Sequence, residues 1–148
     1  MTLRSADLRH HAGQVALPGG AVDEGESVEE AALREAREEL GLTSAVVIHG
    51  QLSPLHVPPS GFCLSPVVAS TPCRPALAPD PGEVAEVLEV ELDALTVADA
   101  CREEERMIRG ERRTVFYYLV GGHKVWGATG LVLSELAAVW LDVRARLT

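Results

Sequence analysis

Apolar positions along the chain gather into five short β-type runs, Gln14 to Leu17, Ala45 to Leu52, Phe62 to Ser70, Val84 to Glu91 and Thr114 to Val120. Some of these runs alternate with polar residues and others are continuous, as half-buried and fully buried strands do. Between and after them the period lengthens to that of a helix. Ser27 followed three residues later by Glu30 forms a capping box, and Gly41 is the residue type favoured just past a helix end, so a first helix is predicted between them. A second is predicted from about Gly130 to Arg146, with Leu133, Leu136, Ala137, Trp140 and Leu147 at helical spacing and Arg144 and Arg146 near its C-terminal dipole. A third, shorter helical pattern covers Val97 to Arg106. Residues 71 to 82 (TPCRPALAPDPG) carry too much proline for anything but loop. With no internal repeat and no long linker, the pattern predicts one mixed α/β domain over residues 1–148.

Composition narrows the function classes. A chain of 148 residues with 47% hydrophobic and 24% charged residues is the size of one globular domain with a buried core. No run approaches the roughly eighteen apolar residues of a membrane span, and Met1 to His11 is charged where a signal peptide would be apolar. A cytoplasmic protein with no membrane partner is the expectation. The net charge of −9 argues against a nucleic-acid partner, which would need clustered Lys and Arg. Cys63, Cys73 and Cys101 are far apart and odd in number, which suits a reducing compartment, and they read as packing residues. His10 and His11 are adjacent and point to opposite sides of an extended segment, while His49, His56 and His123 lack ligand spacing. Trp126 reads as a core or helix-entry residue rather than a base-stacking platform.

Chemistry concentrates in the first helix. Leu33, Ala36 and Leu40 form an apolar stripe, and Glu35, Glu38 and Glu39 at i, i+3 and i+4 share another face. Two unit charges about 6 Å apart at an effective dielectric near 20 repel by about 3 kcal/mol, so three close carboxylates call for a cation. A hard, oxygen-seeking ion such as Mg²⁺ or Mn²⁺ answers that need. A solvated acidic helix face is the plainer alternative for any glutamate run. Pro18-Gly19-Gly20 just upstream is a turn whose glycines let backbone approach another group closely and expose a carbonyl.

The string from Gly20 to Leu42, GAVDEGESVEEAALREAREELGL, resembles the signature of the Nudix hydrolase family. The matching positions are Gly20, Glu26, Arg34, Glu35, Ala36, Glu38, Glu39, Gly41 and Leu42, with Ala36 small for its aliphatic place. The resemblance implies a Nudix fold, a mixed β-sheet sandwiched between helices in α/β/α layers, and a metal-dependent hydrolase. It implies that Glu35, Glu38 and Glu39 ligate Mg²⁺ or Mn²⁺ together with the carbonyl of Gly19, that Arg34 orients the glutamates, and that Glu26 braces the loop-helix motif. The bound metal would polarise phosphoryl oxygens and activate a water. The general base is left open between Glu35 and a later acid, Glu83 or Glu86.

Upstream, Thr2, Arg4, Ser5, Arg9, Gly13, Pro18, Gly19 and Gly20 fall in place on the extra signature of the coenzyme A pyrophosphatase branch, with Leu17 where an aromatic residue is usual. Ser60-Gly61-Phe62, the 81–87 stretch and Val125 to Thr129 are similar to further segments of that branch. The resemblance implies hydrolysis of coenzyme A, or an acyl form, to 3′,5′-ADP and 4′-phosphopantetheine, with Arg4 and Arg9 as local cations for the substrate. Two other readings stay open, a Nudix enzyme for ADP-ribose, a dinucleotide or a nucleoside triphosphate, and a non-catalytic module of the same fold. Met1 falls inside the upstream signature, so the resemblance also implies an N-terminally short domain. Either the natural chain starts earlier or a sheet edge is left unpaired, with a cost in stability and a tendency to associate, so a monomer and a homodimer both stay open.

Overall fold

The computed structural model describes residues 1–8, 10–58 and 61–147. The chain runs β1 (Thr2–Arg4), β2 (Val15–Ala16), α1 (Val28–Leu40), β3 (Val47–Gln51), β4 (Leu55–Val57), β5 (Phe62–Leu64), β6 (Val67–Ser70) and β7 (Val84–Val87). A single 3-10 turn (Leu92–Leu95) leads to β8 (Cys101–Ile108), β9 (Glu111–Val120), β10 (His123–Trp126) and α2 (Gly127–Leu147). It forms two compact units, Met1–Val87 and Leu88–Thr148. The composition is α+β, in line with the expected class. Among the described residues the strands, though, lie in four small antiparallel sheets, β2-β1-β7, β3-β6, β4-β5 and β10-β9-β8, where the sequence predicts one mixed sheet. Pro66 shows one cause: it has no N–H to give a ladder, so the run from Phe62 to Ser70 divides into β5 and β6 on either side of it.

In the first unit, β1 is the middle strand, with Thr2 and Ser5 buried. Helix α1 starts where the capping box predicts: Glu30 N–H donates to Ser27 Oγ at 3.2 Å and Ser27 N–H to Glu30 Oε2 at 2.8 Å. It ends at Gly41, whose φ of 63° is left-handed and whose N–H donates to the Arg37 carbonyl at 2.9 Å. The proline-rich loop then satisfies carbonyls that the helix end leaves open. Ala78 N–H donates to Leu40 O at 2.8 Å and Asp80 N–H to Glu39 O at 2.9 Å. A Cβ on Gly41 would stand 2.7 Å from the Ala78 carbonyl oxygen, so backbone conformation and close approach both require glycine there. Gly41→Ala is expected to cost about 2 kcal/mol or more, read as a thermal midpoint lower by about 5 °C. An unchanged midpoint would mean that the loop is not docked on the helix end.

In the second unit, two hairpins join three strands. Arg109 and Gly110 (φ 52° and 83°) and Gly121 and Gly122 (56° and 83°) make two-residue loops with both residues at positive φ, the geometry that matches strand twist. Helix α2 lies against β9 and β10, Tyr118, Val120 and Val125 of the strands and Val132, Leu133 and Ala137 of the helix are buried, and the Tyr118 hydroxyl meets Ser134 Oγ at 3.0 Å. Trp140 Nε1 and Arg144 both donate to Asp93 of the 3-10 turn, at 2.6 and 2.7 Å. Leu147, predicted on the apolar stripe, is exposed.

The predicted short helix over Val97 to Arg106 is overturned. Cys101–Ile108 is β8, paired residue by residue with β9 from Cys101↔Tyr118 to Ile108↔Glu111. Its charges sit on a sheet face: Glu104 accepts from Lys124 and from Arg106 Nε at 2.5 Å, and the Lys124 and Arg106 head groups lie 4.7 Å from the Tyr117 and Trp126 ring centroids. Cross-strand ion pairing thus does for β8 what apolar alternation does elsewhere. Lys124, then Arg106, hold the Glu104 carboxyl below the usual carboxylate range. A depressed folded pKa gives stability that is present above the unfolded pKa and lost as pH falls through the folded one. Glu104→Gln is therefore expected to lower the midpoint at neutral pH and to flatten its fall in acid, as calorimetry across pH 7 to 3 would register.

The cysteines are not packing residues. Cys63, Cys73 and Cys101 are free thiols, all exposed. Cys63 lies in the three-residue strand β5, Cys73 in the proline-rich loop and Cys101 at the first position of β8.

Candidate active site

The loop from Pro18 to Glu26 and helix α1 form one laced unit, and Arg34 is the lace. Its Nε and one terminal nitrogen donate to the two oxygens of Glu26 at 3.0 and 3.1 Å, and that same terminal nitrogen reaches the Ala21 carbonyl at 3.0 Å. Its other terminal nitrogen donates to Glu35 Oε1 at 2.6 Å and Glu38 Oε2 at 3.3 Å. Glu26 in turn accepts from Asp23 N–H at 3.1 Å, which closes the loop on itself. Arg34, then the Asp23 N–H, draw the Glu26 carboxyl below its ordinary pKa, while Glu26 first and Glu35 second raise that of Arg34. One planar fork thus fixes the loop, its brace and two helix carboxylates, a task that suits arginine and not lysine.

The three helix glutamates take different positions. The Glu35 side chain is 15% exposed and Glu38 is 60% exposed. Glu39 is buried, at 4% exposure. Glu35 and Glu39, one turn apart, therefore face inward while Glu38 reaches solvent. Gly20 passes so close to Glu35 that a Cβ there would lie 2.3 Å from Oε1. Burial raises the Glu39 pKa most; the hydrogen bond from the Gly19 backbone lowers it, Glu83 raises it, Arg4 lowers it and Glu35 raises it. Gly19, expected to act through its carbonyl, thus also lies beside Glu39 through its backbone.

Of the two later acids named as alternative bases, Glu83 acts on Glu39, and Glu86 stands opposite Leu3 in the β1–β7 ladder. Arg4 is at the end of β1 and acts on Glu39 as well. Arg9 and Ser60 lie outside the described residues. Asp80 was not anticipated. It holds the 80–84 turn by accepting from Gly82 N–H on Oδ1 and from Val84 N–H on its carbonyl, each at 2.8 Å, and so presents Glu83. The Asp80-Pro81-Gly82 turn signature was its available signal.

The donor set fits a hard divalent cation in its chemistry: carboxylates only, with a buried member whose charge is disfavoured by burial and by two neighbouring acids. Among the described residues, no three His, Cys, Asp or Glu side chains already surround one point, and Glu35 and Glu38 are both engaged by Arg34. An open groove of about 530 Å³ lined by Asp99, Cys101, Arg102, Glu103 and Phe116 includes no member of this constellation. No helix among the described residues is long and apolar enough to cross a membrane.

Residues 1–120 match the family model of the NUDIX domain. The chain is similar to a protein of Photorhabdus laumondii named uncharacterized Nudix hydrolase NudL, 37% identical over 139 residues that cover 93% of this chain and 74% of the relative. It is also similar to proteins of the same name from Pectobacterium atrosepticum, at 39% identity, and Citrobacter koseri, at 38%, with the same share of this chain and 72% of each relative covered.

Proposed function

The chain belongs to the Nudix family and is a pyrophosphohydrolase acting on a small molecule, and from that premise we propose that its substrate is coenzyme A or an acyl derivative, cut to 3′,5′-ADP and 4′-phosphopantetheine. The observation that carries the proposal is the joining of two signatures. Thr2, Arg4 and Ser5, which resemble the coenzyme A branch, lie in and beside β1, and Arg4 acts on Glu39 of the Nudix motif. Arg4 and Arg9 supply the local cations that a diphosphate with a further phosphate needs in a chain of net charge −9.

Nudix hydrolases generally work with Mg²⁺ or Mn²⁺, and Glu35, Glu38 and Glu39 with Gly19 are the residues that would hold the ion here. Bound there, it supplies Lewis-acid polarisation of phosphoryl oxygens and a water of lowered pKa. Arg34 fixes Glu35 and Glu38 through their hydrogen bonds, and Glu26 fixes Arg34. The Gly19 backbone acts on the Glu39 carboxyl and favours its charged form. Glu83, exposed on its pinned turn and electrostatically coupled to Glu39, is the better placed of the two later acids to take a proton from the attacking water.

Incubation of the purified chain with Mg²⁺ or Mn²⁺ and coenzyme A, with products separated by chromatography, is the test. Appearance of 3′,5′-ADP supports the reading. Turnover of ADP-ribose, a dinucleotide or a nucleoside triphosphate in place of coenzyme A would move the substrate to another nucleoside diphosphate derivative. Leu17, in the place of the usual aromatic residue, is the position that favours that second reading.

A further inference from the structure

Prolines at 79 and 81 leave Asp80 as the one residue between them with an N–H to give. That N–H donates to the Glu39 carbonyl at 2.9 Å, in the last turn of α1, where a helix leaves its carbonyls open. The Asp80 carbonyl accepts from Glu83 N–H at 3.1 Å and from Val84 N–H at 2.8 Å. Its side-chain Oδ1 accepts from Gly82 N–H at 2.8 Å, and a Cβ on Gly82 would stand only 3.2 Å from that oxygen. Asp80 to Glu83 is thus a β-turn with Asp in its first place and Pro in its second, the residue types that such a turn prefers.

Through the main chain, then, Asp80 is hydrogen-bonded to both Glu39 and Glu83. The far side of Glu83 is fixed as well. Its carbonyl accepts from Ser5 N–H at 2.8 Å, beside the point where the β1–β7 ladder slips: Leu3 pairs with Glu86 and Arg4 with Val84, so Ala85 is left over. A bulge of this kind re-aims side chains on the strands that carry it. Glu83 stands just ahead of it, exposed, with its backbone held on both sides. A reacting group displaced by about 1 Å can lose on the order of 10²-fold in rate, so what fixes this backbone bears on the chemistry. We infer that Asp80 is a positioning residue for the reaction: it docks the turn that carries Glu83 on the end of α1 that carries Glu39, and so sets where Glu83 stands at the site. The inference rests on the reading of Glu83 as proton acceptor given above. In this role Asp80 acts through Glu83 and needs no contact with substrate.

Amide hydrogen exchange of the whole chain gives the first readout and needs no substrate. Asp80→Ala removes the side-chain acceptor, and exchange at Gly82, Glu83 and Val84 is expected to speed by about fivefold or more, with the Glu30 amide at the capped start of α1 unchanged. Asp80→Asn keeps an oxygen for the Gly82 N–H and should stay within about twofold of wild type. Wild-type exchange in the alanine variant, or a rise spread evenly over the chain, would overturn the inference. Initial rates on whichever diphosphate the protein hydrolyses give the second readout. Asp80→Ala should lower kcat about tenfold with KM nearly unchanged, and Asp80→Asn should recover most of that loss. Faster exchange with kcat unchanged would leave Asp80 a turn residue only and overturn its role in the reaction. In a Glu83→Gln background Asp80→Ala should cost nothing further, because it acts through Glu83, whereas multiplied losses would overturn the inference. If Asp80→Ala does not fold, Asp80→Ser takes its place and the same comparisons decide. Full activity of Glu83→Gln would refute Glu83 as proton acceptor and the inference with it. The same pattern on a diphosphate other than coenzyme A would uphold the inference and refute only the substrate.

Discussion

Glu39→Gln is expected to lower diphosphate hydrolysis on the order of 10³-fold, about 4 kcal/mol of transition-state stabilisation, while leaving the protein folded and no less thermostable without metal. Both halves of that result follow from where the side chain sits. Glu39 is 4% exposed, and burial with the charges of Glu83 and Glu35 makes its ionised form unfavourable in the free protein. Glutamine has the same shape, keeps an oxygen beside the Gly19 backbone and removes the charge, so the fold loses nothing it needs. What it removes is the anionic oxygen on which the proposed cation binding would depend. An isolated helix-face glutamate would behave in the opposite way, with little effect on either quantity. Initial rates with Mg²⁺ and with Mn²⁺, beside thermal unfolding in chelator, check the two halves separately. A variant that keeps more than a tenth of the wild-type rate would remove Glu39 from the site, whatever the substrate.

The sequence exposes the limits of α1 because capping is local chemistry: Ser27, Glu30 and Gly41 each act on backbone within a turn of themselves. It does not separate Glu39 from Glu38. Spacing puts both on one side of the helix, and only the docking of α1 with the loop at Gly19 and the turn at Asp80 decides which one is covered. Glu83 and Glu86 are likewise indistinguishable in a run of alternating residues until the slip beside Arg4 is known. Strand β8 is hidden in the sequence for another reason. Its residues alternate in charge pairing and not in hydrophobicity, and its turn uses an arginine at positive φ where Asn or Asp would have signalled a hairpin. Chemistry was therefore readable where a motif has fixed spacing, and geometry was not where it depends on the meeting of distant segments.

That distinction makes Arg34 the most informative residue of the motif. Arg34→Lys is expected to reduce activity about 10–100-fold, the range for residues that orient the residues contacting a metal or substrate. Lysine keeps the charge but brings one compact donor group where arginine spans Glu26, the Ala21 carbonyl, Glu35 and Glu38 together. A charge-only role would be nearly preserved in the lysine variant, so the substitution separates geometry from electrostatics. Glu26→Gln should reproduce part of the loss, because the bidentate contact with Arg34 weakens while the Asp23 N–H keeps an acceptor. Since Glu26 acts through Arg34, the double variant should be little worse than Arg34→Lys alone. Multiplied losses would mean that Glu26 has an independent role at the reacting phosphates, and the brace assigned to it would have to be abandoned.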